Sequence, residues 1–93
     1  MSFQVENHPE LSRFQTLVDG HLCVADYRLS PGVMHMTHTG VHPSLEGRGI
    51  AAALIEAAFD DAREQGLKID PICSYVRHYI QRHPETQDRV DQR

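Results

Sequence analysis

The stretch Val41-His42-Pro43-Ser44-Leu45-Glu46-Gly47-Arg48-Gly49-Ile50-Ala51 decides the fold. Upstream of it the residues alternate as strands do; downstream the apolar residues fall at helical spacing. A strand therefore ends near His42, a turn with two glycines follows, and a helix begins at Ile50. A helix N-terminus presents backbone N–H groups with no partner inside the helix, and the aligned peptide dipoles make it partly positive. Gly47 and Gly49 have no side chain to keep an anion from the backbone, and Arg48 adds a cation. The segment reads as an anion site for a phosphate or pyrophosphate, against the alternative that the glycines serve only the turn. It is not a P-loop, since no Gly-Lys-Ser/Thr follows. The spacing and the short chain also exclude a Rossmann dinucleotide fingerprint.

Working outward toward the N-terminus, Phe3 to Glu6 reads as a short edge strand and Phe14 to Val18 as a fuller one. Asp19-Gly20 is a tight-hairpin signal. His21 to Leu29 returns as its partner, with Leu22, Val24 and Asp26 on one face and Cys23, Ala25, Tyr27 and Leu29 on the other. After a second turn at Ser30-Pro31-Gly32, Val33 to His42 forms a long strand that places Val33, His35, Thr37, Thr39 and Val41 on one face. Toward the C-terminus, Ile50 to Gln65 sets Ile50, Leu54, Ile55, Ala58, Phe59 and Ala62 on one side and Glu56, Asp60, Arg63 and Glu64 on the other. That is an amphipathic helix lying on a sheet. Gly66 stands where a helix C-terminal glycine belongs, and Leu67 to Ile72 is a short strand. Ser74 can cap a second helix with a buried stripe of Tyr75, Val76, Tyr79 and Ile80, which Pro84 ends. The order is β-β-β-β-α-β-α. The crossover from Val33–His42 through the helix to Leu67–Ile72 makes those two strands parallel. The fold class is α+β, a mixed and mainly antiparallel sheet with two helices. Glu85 to Arg93 is nearly all polar and reads as a frayed end.

With 93 residues, 40% of them hydrophobic, the chain has enough for one core and too little for two, so 1–93 is read as a single domain. For a core this small, a bound cofactor or a homodimer partner could matter to stability. A net charge of -4 lacks the basic footprint of a nucleic-acid binder. Cys23 and Cys73 make no disulfide framework, which fits a reducing cytoplasm. Met1 to Asn7 has no basic start or long apolar run, unlike a signal peptide. No stretch approaches the roughly 20 apolar residues that span a membrane. A cytoplasmic protein with no nucleic-acid or membrane partner is the expectation. Seven histidines raise a metal reading. His38 and His42 are read on one strand face with His35 on the other, and no Cys/His pair has structural-zinc spacing. No metal site is expected.

Glu46-Gly47-Arg48-Gly49-Ile50-Ala51 resembles the Gln/Arg-x-x-Gly-x-Gly/Ala motif of GNAT acetyltransferases. It matches at Gly49 and Ala51 and has Glu46 where that family has Gln or Arg. Asp19-Gly20, His38-Thr39-Gly40-Val41, Cys73-Ser74-Tyr75-Val76 and His83-Pro84-Glu85 are similar, in the same order, to motifs of the small single-domain GNAT-like predicted N-acetyltransferases. This resemblance runs from about His8 to Glu85, with Gly40 in place of that family's Glu. It implies a minimal GNAT fold that binds acetyl-CoA or CoA and moves an acetyl group to an amine acceptor, a small molecule or a peptide. By the same resemblance Val41 lies along the pantetheine arm. Gly47, Arg48, Gly49, Ile50 and Ala51 cradle the pyrophosphate, Ser74 and Tyr79 also bind the cofactor, and the acetyl thioester sits where the sheet splays, near Leu67–Ile72 and the start of the last helix.

Acetyl transfer needs a nucleophile, a group to take its proton, and a donor to the developing oxyanion. Cys73 sits at the strand–helix junction, where a helix N-terminus raises the thiolate fraction, so it could form an acetyl-cysteine intermediate. The open alternatives are a small buried residue at a strand end, or a wall of the thioester pocket during direct attack by an amine. His38 is read as a base near neutral pH, or else as structural or surface. Tyr75 and Tyr79 could protonate the leaving thiolate, or simply pack in the core. The alternative function is a non-catalytic acyl-CoA-binding or protein-interaction module, supported by Glu46, Gly40 and the chain's brevity. There is no room for the N-terminal helices that help larger GNAT enzymes build an acceptor site, so that site is open or completed by a partner chain.

Overall fold

A computed structural model describes residues 3–91. Five strands form one sheet: β1 (Glu6–His8), β2 (Arg13–Val18), β3 (His21–Ser30), β4 (Val33–Gly40) and β5 (Lys68–Pro71). They lie in the order β1-β2-β3-β4-β5. The first three pairings are antiparallel and β4–β5 is parallel. Helix α1 (Ile50–Gln65) is the crossover between β4 and β5, and α2 (Ser74–Arg82) follows β5. The α+β architecture and the parallel crossover agree with the sequence reading.

Local chemistry explains the hairpins and the helix end. Asp19 and Gly20 both take positive φ, +50° and +78°, which a two-residue turn needs to match the strand twist. Gly66 closes α1 with φ +71°, and Leu67 N–H reaches the Ala62 carbonyl at 2.8 Å. The apolar stripe of α1 is buried against β2 and β3, where Phe14, Cys23, Ala25 and Tyr27 face it.

The strand expectations are corrected in part. The edge strand is Glu6–His8 instead of Phe3–Glu6, although Phe3 and Val5 still pack against the core. Strand β4 stops at Gly40 instead of His42, and its alternation breaks at a bulge. Asp26 pairs with His38, but Tyr27 pairs with Met36, so Thr37 is the extra residue. Below the bulge Met34 and Met36 point into the core; above it Thr39 does. The face expected to hold Val33, His35, Thr37, Thr39 and Val41 together is therefore split. His35 and His38 share the outer face, away from the helices, while His42 leaves the sheet and stacks on His21 at 3.9 Å.

The polar C-terminal segment is ordered through residue 91 where a frayed end was expected. Pro84–Arg89 forms a 3-10 helix. Arg63 grips it with two hydrogen bonds to the Asp88 carboxylate, both 3.0 Å, and one to the Glu85 carbonyl at 3.1 Å. Val90 then bridges Ile69 in parallel, and Asp91 N–H donates to the Ile69 carbonyl at 2.7 Å. Composition alone misses these long-range ties.

Candidate functional site

The turn between β4 and α1 is built by anchoring its start and freeing its end. His42 caps a 3-10 turn, Pro43–Leu45, by accepting the Ser44 N–H on Nδ1 at 3.1 Å. Leu45 is buried beneath it. Gly47 and Gly49 follow with φ +84° and +83°, and a Cβ at either would meet nothing within 4 Å. Glycine is required there by backbone conformation, and the space in front is open. Gly49 is the N-cap of α1 and supplies no side-chain cap. The first intrahelical bond runs from Ala53 N–H to the Gly49 carbonyl at 3.0 Å. Helical geometry thus leaves the N–H groups of Ile50, Ala51 and Ala52 without partners in the helix.

These groups border a 320 Å³ cavity that Val41, Glu46, Gly47 and Tyr75 also line. It adjoins a 460 Å³ groove between α1 and α2, since Ala51, Ala52 and Tyr75 line both. The α2 wall consists of Ser74, Tyr75, His78, Tyr79 and Arg82. Arg48 and Glu46 are placed differently with respect to these cavities. Arg48 lines neither cavity, because its guanidinium donates to Asp19 Oδ2 at 2.7 Å and is held toward the β2–β3 turn. Glu46 does line the smaller cavity and brings a carboxylate there. Positive charge near the groove comes instead from Arg82. Tyr75, His78 and Arg82 were not assigned to the cofactor from the sequence. Their spacing along α2 is a stripe that reading the helix only for its buried face passes over. Tyr75, expected in that buried face, is 42% exposed and overhangs the groove.

The groove ends at Ser74, next to the place where the sheet parts. Pairing of β4 with β5 stops at Met36 and Pro71. Past that point Cys73 N–H donates a backbone hydrogen bond to the Met36 carbonyl at 3.0 Å, after which the chain turns into α2. Cys73, not Ser74, is the N-cap of α2. Its thiol donates to Thr39 Oγ1 at 3.5 Å, on the inner face of β4. His38 is exposed on the outer face, so the structure does not bring it to Cys73. Tyr79 is stacked between Phe59, at 5.7 Å, and His83, at 4.1 Å. Burial, ahead of the nearby carboxylates Glu56, Glu85 and Asp60, pushes its phenol above the ordinary tyrosine range, so the hydroxyl stays protonated at neutral pH.

Residues 13–89 match the family model described as GCN5-related N-acetyl-transferase. The chain is 36% identical over 52 residues to Protein NATD1 of Gallus gallus, covering 56% of this chain and 47% of that one. The Homo sapiens Protein NATD1 is likewise 36% identical over 52 residues, covering 56% of this chain and 46% of its own length. The chain thus spans about half the length of these curated relatives in the matched region. The NMR solution structure of a GCN5-like protein from Staphylococcus aureus superimposes with TM-score 0.77 at 26% identity, covering 99% of this chain and 91% of that one.

Proposed function

This chain belongs to the GCN5-related N-acetyltransferase family, and we propose that it binds acetyl-CoA along the α1–α2 groove and passes the acetyl group to an amine. The observation that supports this reading is the uncapped α1 N-terminus opening into adjoining cavities that reach Ser74, the residue after Cys73. The residues suit the ligand. Gly47 and Gly49 leave open space where phosphate oxygens need the backbone, and the N–H groups of Ile50, Ala51 and Ala52 point their partial charge there. Arg82 at the groove wall supplies the cation that Arg48, paired with Asp19, does not.

When bound, acetyl-CoA supplies an activated acyl thioester. Cys73, held by Thr39 at the gap between β4 and β5, either walls that end of the site or accepts the acetyl group on sulfur. Tyr79 keeps its proton and can donate it. A second reading, a non-catalytic acyl-CoA binder, is favoured by the position of His38 on the far face of the sheet from Cys73.

Titration calorimetry with CoA and acetyl-CoA, followed by intact mass, tests the proposal. The expected outcome is saturable binding of both, lost in Gly49→Glu while the circular dichroism spectrum is unchanged. An acetyl mass on Cys73 would mark a covalent step, and consumption of acetyl-CoA with an amine but no adduct would mark direct transfer. Binding with no consumption over an amine screen would select the second reading. No binding of either ligand would overturn the site.

A further inference from the structure

On the outer face of the sheet, opposite the groove, three polar side chains from three different strands meet in a line. Ser30 ends β3, His35 lies in β4, and Asp70 lies in β5. His35 Nδ1 is 2.7 Å from Asp70 Oδ2, and His35 Nε2 is 2.7 Å from Ser30 Oγ. An ionised carboxylate only accepts hydrogen bonds, so it places the imidazole proton on Nδ1. Nε2 is then the acceptor, and the Ser30 hydroxyl donates to it. The histidine and aspartate side chains are each 19% exposed, whereas Ser30 is exposed at the rim. Hydrolytic Ser–His–Asp sites are recognised by this order of contacts and by these roles, whatever the fold.

The three residues lie in a groove lined by both polar and apolar side chains. A 340 Å³ groove contains all three residues, with Leu29 and Ile72 as apolar walls that are 57% and 51% exposed. Arg28 lines the same groove and stands opposite His35 in the strand register. Among the described residues its guanidinium has no carboxylate partner, which leaves it available to a developing oxyanion. A structural brace between the β3–β4 hairpin and β5 would account for the hydrogen bonds, but not for an exposed hydroxyl in a mixed polar and apolar groove that Arg28 also lines.

We propose that Ser30, His35 and Asp70 form a nucleophilic site, separate from the α1–α2 groove, that cleaves small carboxylic esters. Ser30 Oγ bonds to the carbonyl carbon as its proton moves to His35 Nε2. The ester C–O bond then breaks, and that proton passes to the leaving alcohol, giving acyl-Ser30. Water adds to the acyl carbon and gives a proton to His35, which returns it to Ser30 Oγ as the carboxylic acid leaves. The Asp70 carboxylate accepts from Nδ1 and holds the imidazolium in place.

The whole chain is treated with diisopropyl fluorophosphate and mapped by peptide mass, and p-nitrophenyl acetate hydrolysis is followed alongside. One adduct on Ser30 is expected. His35→Gln should slow its formation by about 10²–10⁴-fold, the range for loss of a general base. Asp70→Asn should slow it less. Ser30→Ala, at an exposed position, keeps the fold if His35→Gln does not, and should abolish the adduct while CoA binding persists. No adduct on Ser30 in the folded protein, or labelling equally fast in a folded His35→Gln variant, would overturn the proposal. Neither result depends on the fate of the acetyl-CoA reading.

Discussion

Gly49 and Gly66 flank the same helix, and they permit a matched test of the phosphate cradle. Both have positive φ, +83° and +71°, and an added Cβ at either meets nothing within 4 Å. Alanine therefore costs backbone strain at each and creates no clash. Holding an L-residue in the left-handed region costs about 1–2 kcal/mol. For a domain of this size each kcal/mol lowers the melting temperature by roughly 4–8 °C. Gly49→Ala and Gly66→Ala should thus destabilise to a similar degree, while retaining most of a domain stability of about 5–15 kcal/mol. Their binding should differ. The methyl group of Gly49→Ala sits at the N-cap of α1 in space with nothing within 4 Å, whereas that of Gly66→Ala lies at the other end of the helix. Thermal melts give the first quantity and calorimetry with CoA the second. A loss of CoA affinity confined to Gly49→Ala is the expected result. Equal affinity in both variants, at equal loss of stability, would refute the assignment of the cradle to this turn.

Two other perturbations test the framework. Ile69 is fully buried in β5, so Ile69→Ala should cost about 2–5 kcal/mol in urea unfolding. Leu22→Ala, at a residue 50% exposed on the outer face, should stay within about 0.5 kcal/mol; comparable losses would contradict the assignment of the faces. The Arg63 hydrogen bonds hold the Asp88 carboxyl below its ordinary value of 3.8. Its contribution to stability is therefore present above that value and lost as pH falls through the lower, folded-state value. In Arg63→Met the Asp88 carboxyl should titrate near the ordinary value by NMR, and the extra stability of the wild type should fade on acidification below it. An unchanged Asp88 titration would show that Arg63 is not the cause.

What could be read from the sequence was what short segments encode by themselves. Asp19-Gly20 and Gly66 specify backbone conformations that few other residues adopt, and the stripe from Ile50 to Ala62 fixes which side of α1 is buried. The strand–turn–helix segment around Gly49 followed from the same local chemistry. What escaped was set by partners far along the chain or by a single inserted residue. Nothing in the composition of β4 marks Thr37 as a bulge, yet that one residue moves His35 and His38 onto a common face and separates His38 from Cys73. Arg48 reads as a phosphate ligand until Asp19, on a distant turn, is seen to hold it. Ser30, His35 and Asp70 meet only because β3, β4 and β5 are neighbours, so no motif of fixed spacing announces them.

The bridge from Val90 to Ile69 also bears on the margins of this small open sheet. A strand at the margin of a sheet offers unpaired N–H and C=O groups to any extended chain that approaches, and natural sheets blunt such margins. Here β5 has β4 on one side, and on the other Val90 and Asp91 occupy its Ile69 position. Lys68 Nζ and Arg89 fasten the same border to carbonyls at 2.7 and 3.2 Å. The opposite margin, β1, is only three residues long and carries Glu6 and His8. The C-terminal segment thus acts as a built-in selvedge. A chain cut before Val90 would keep every strand named above and present the raw side of β5 as a template for a second molecule.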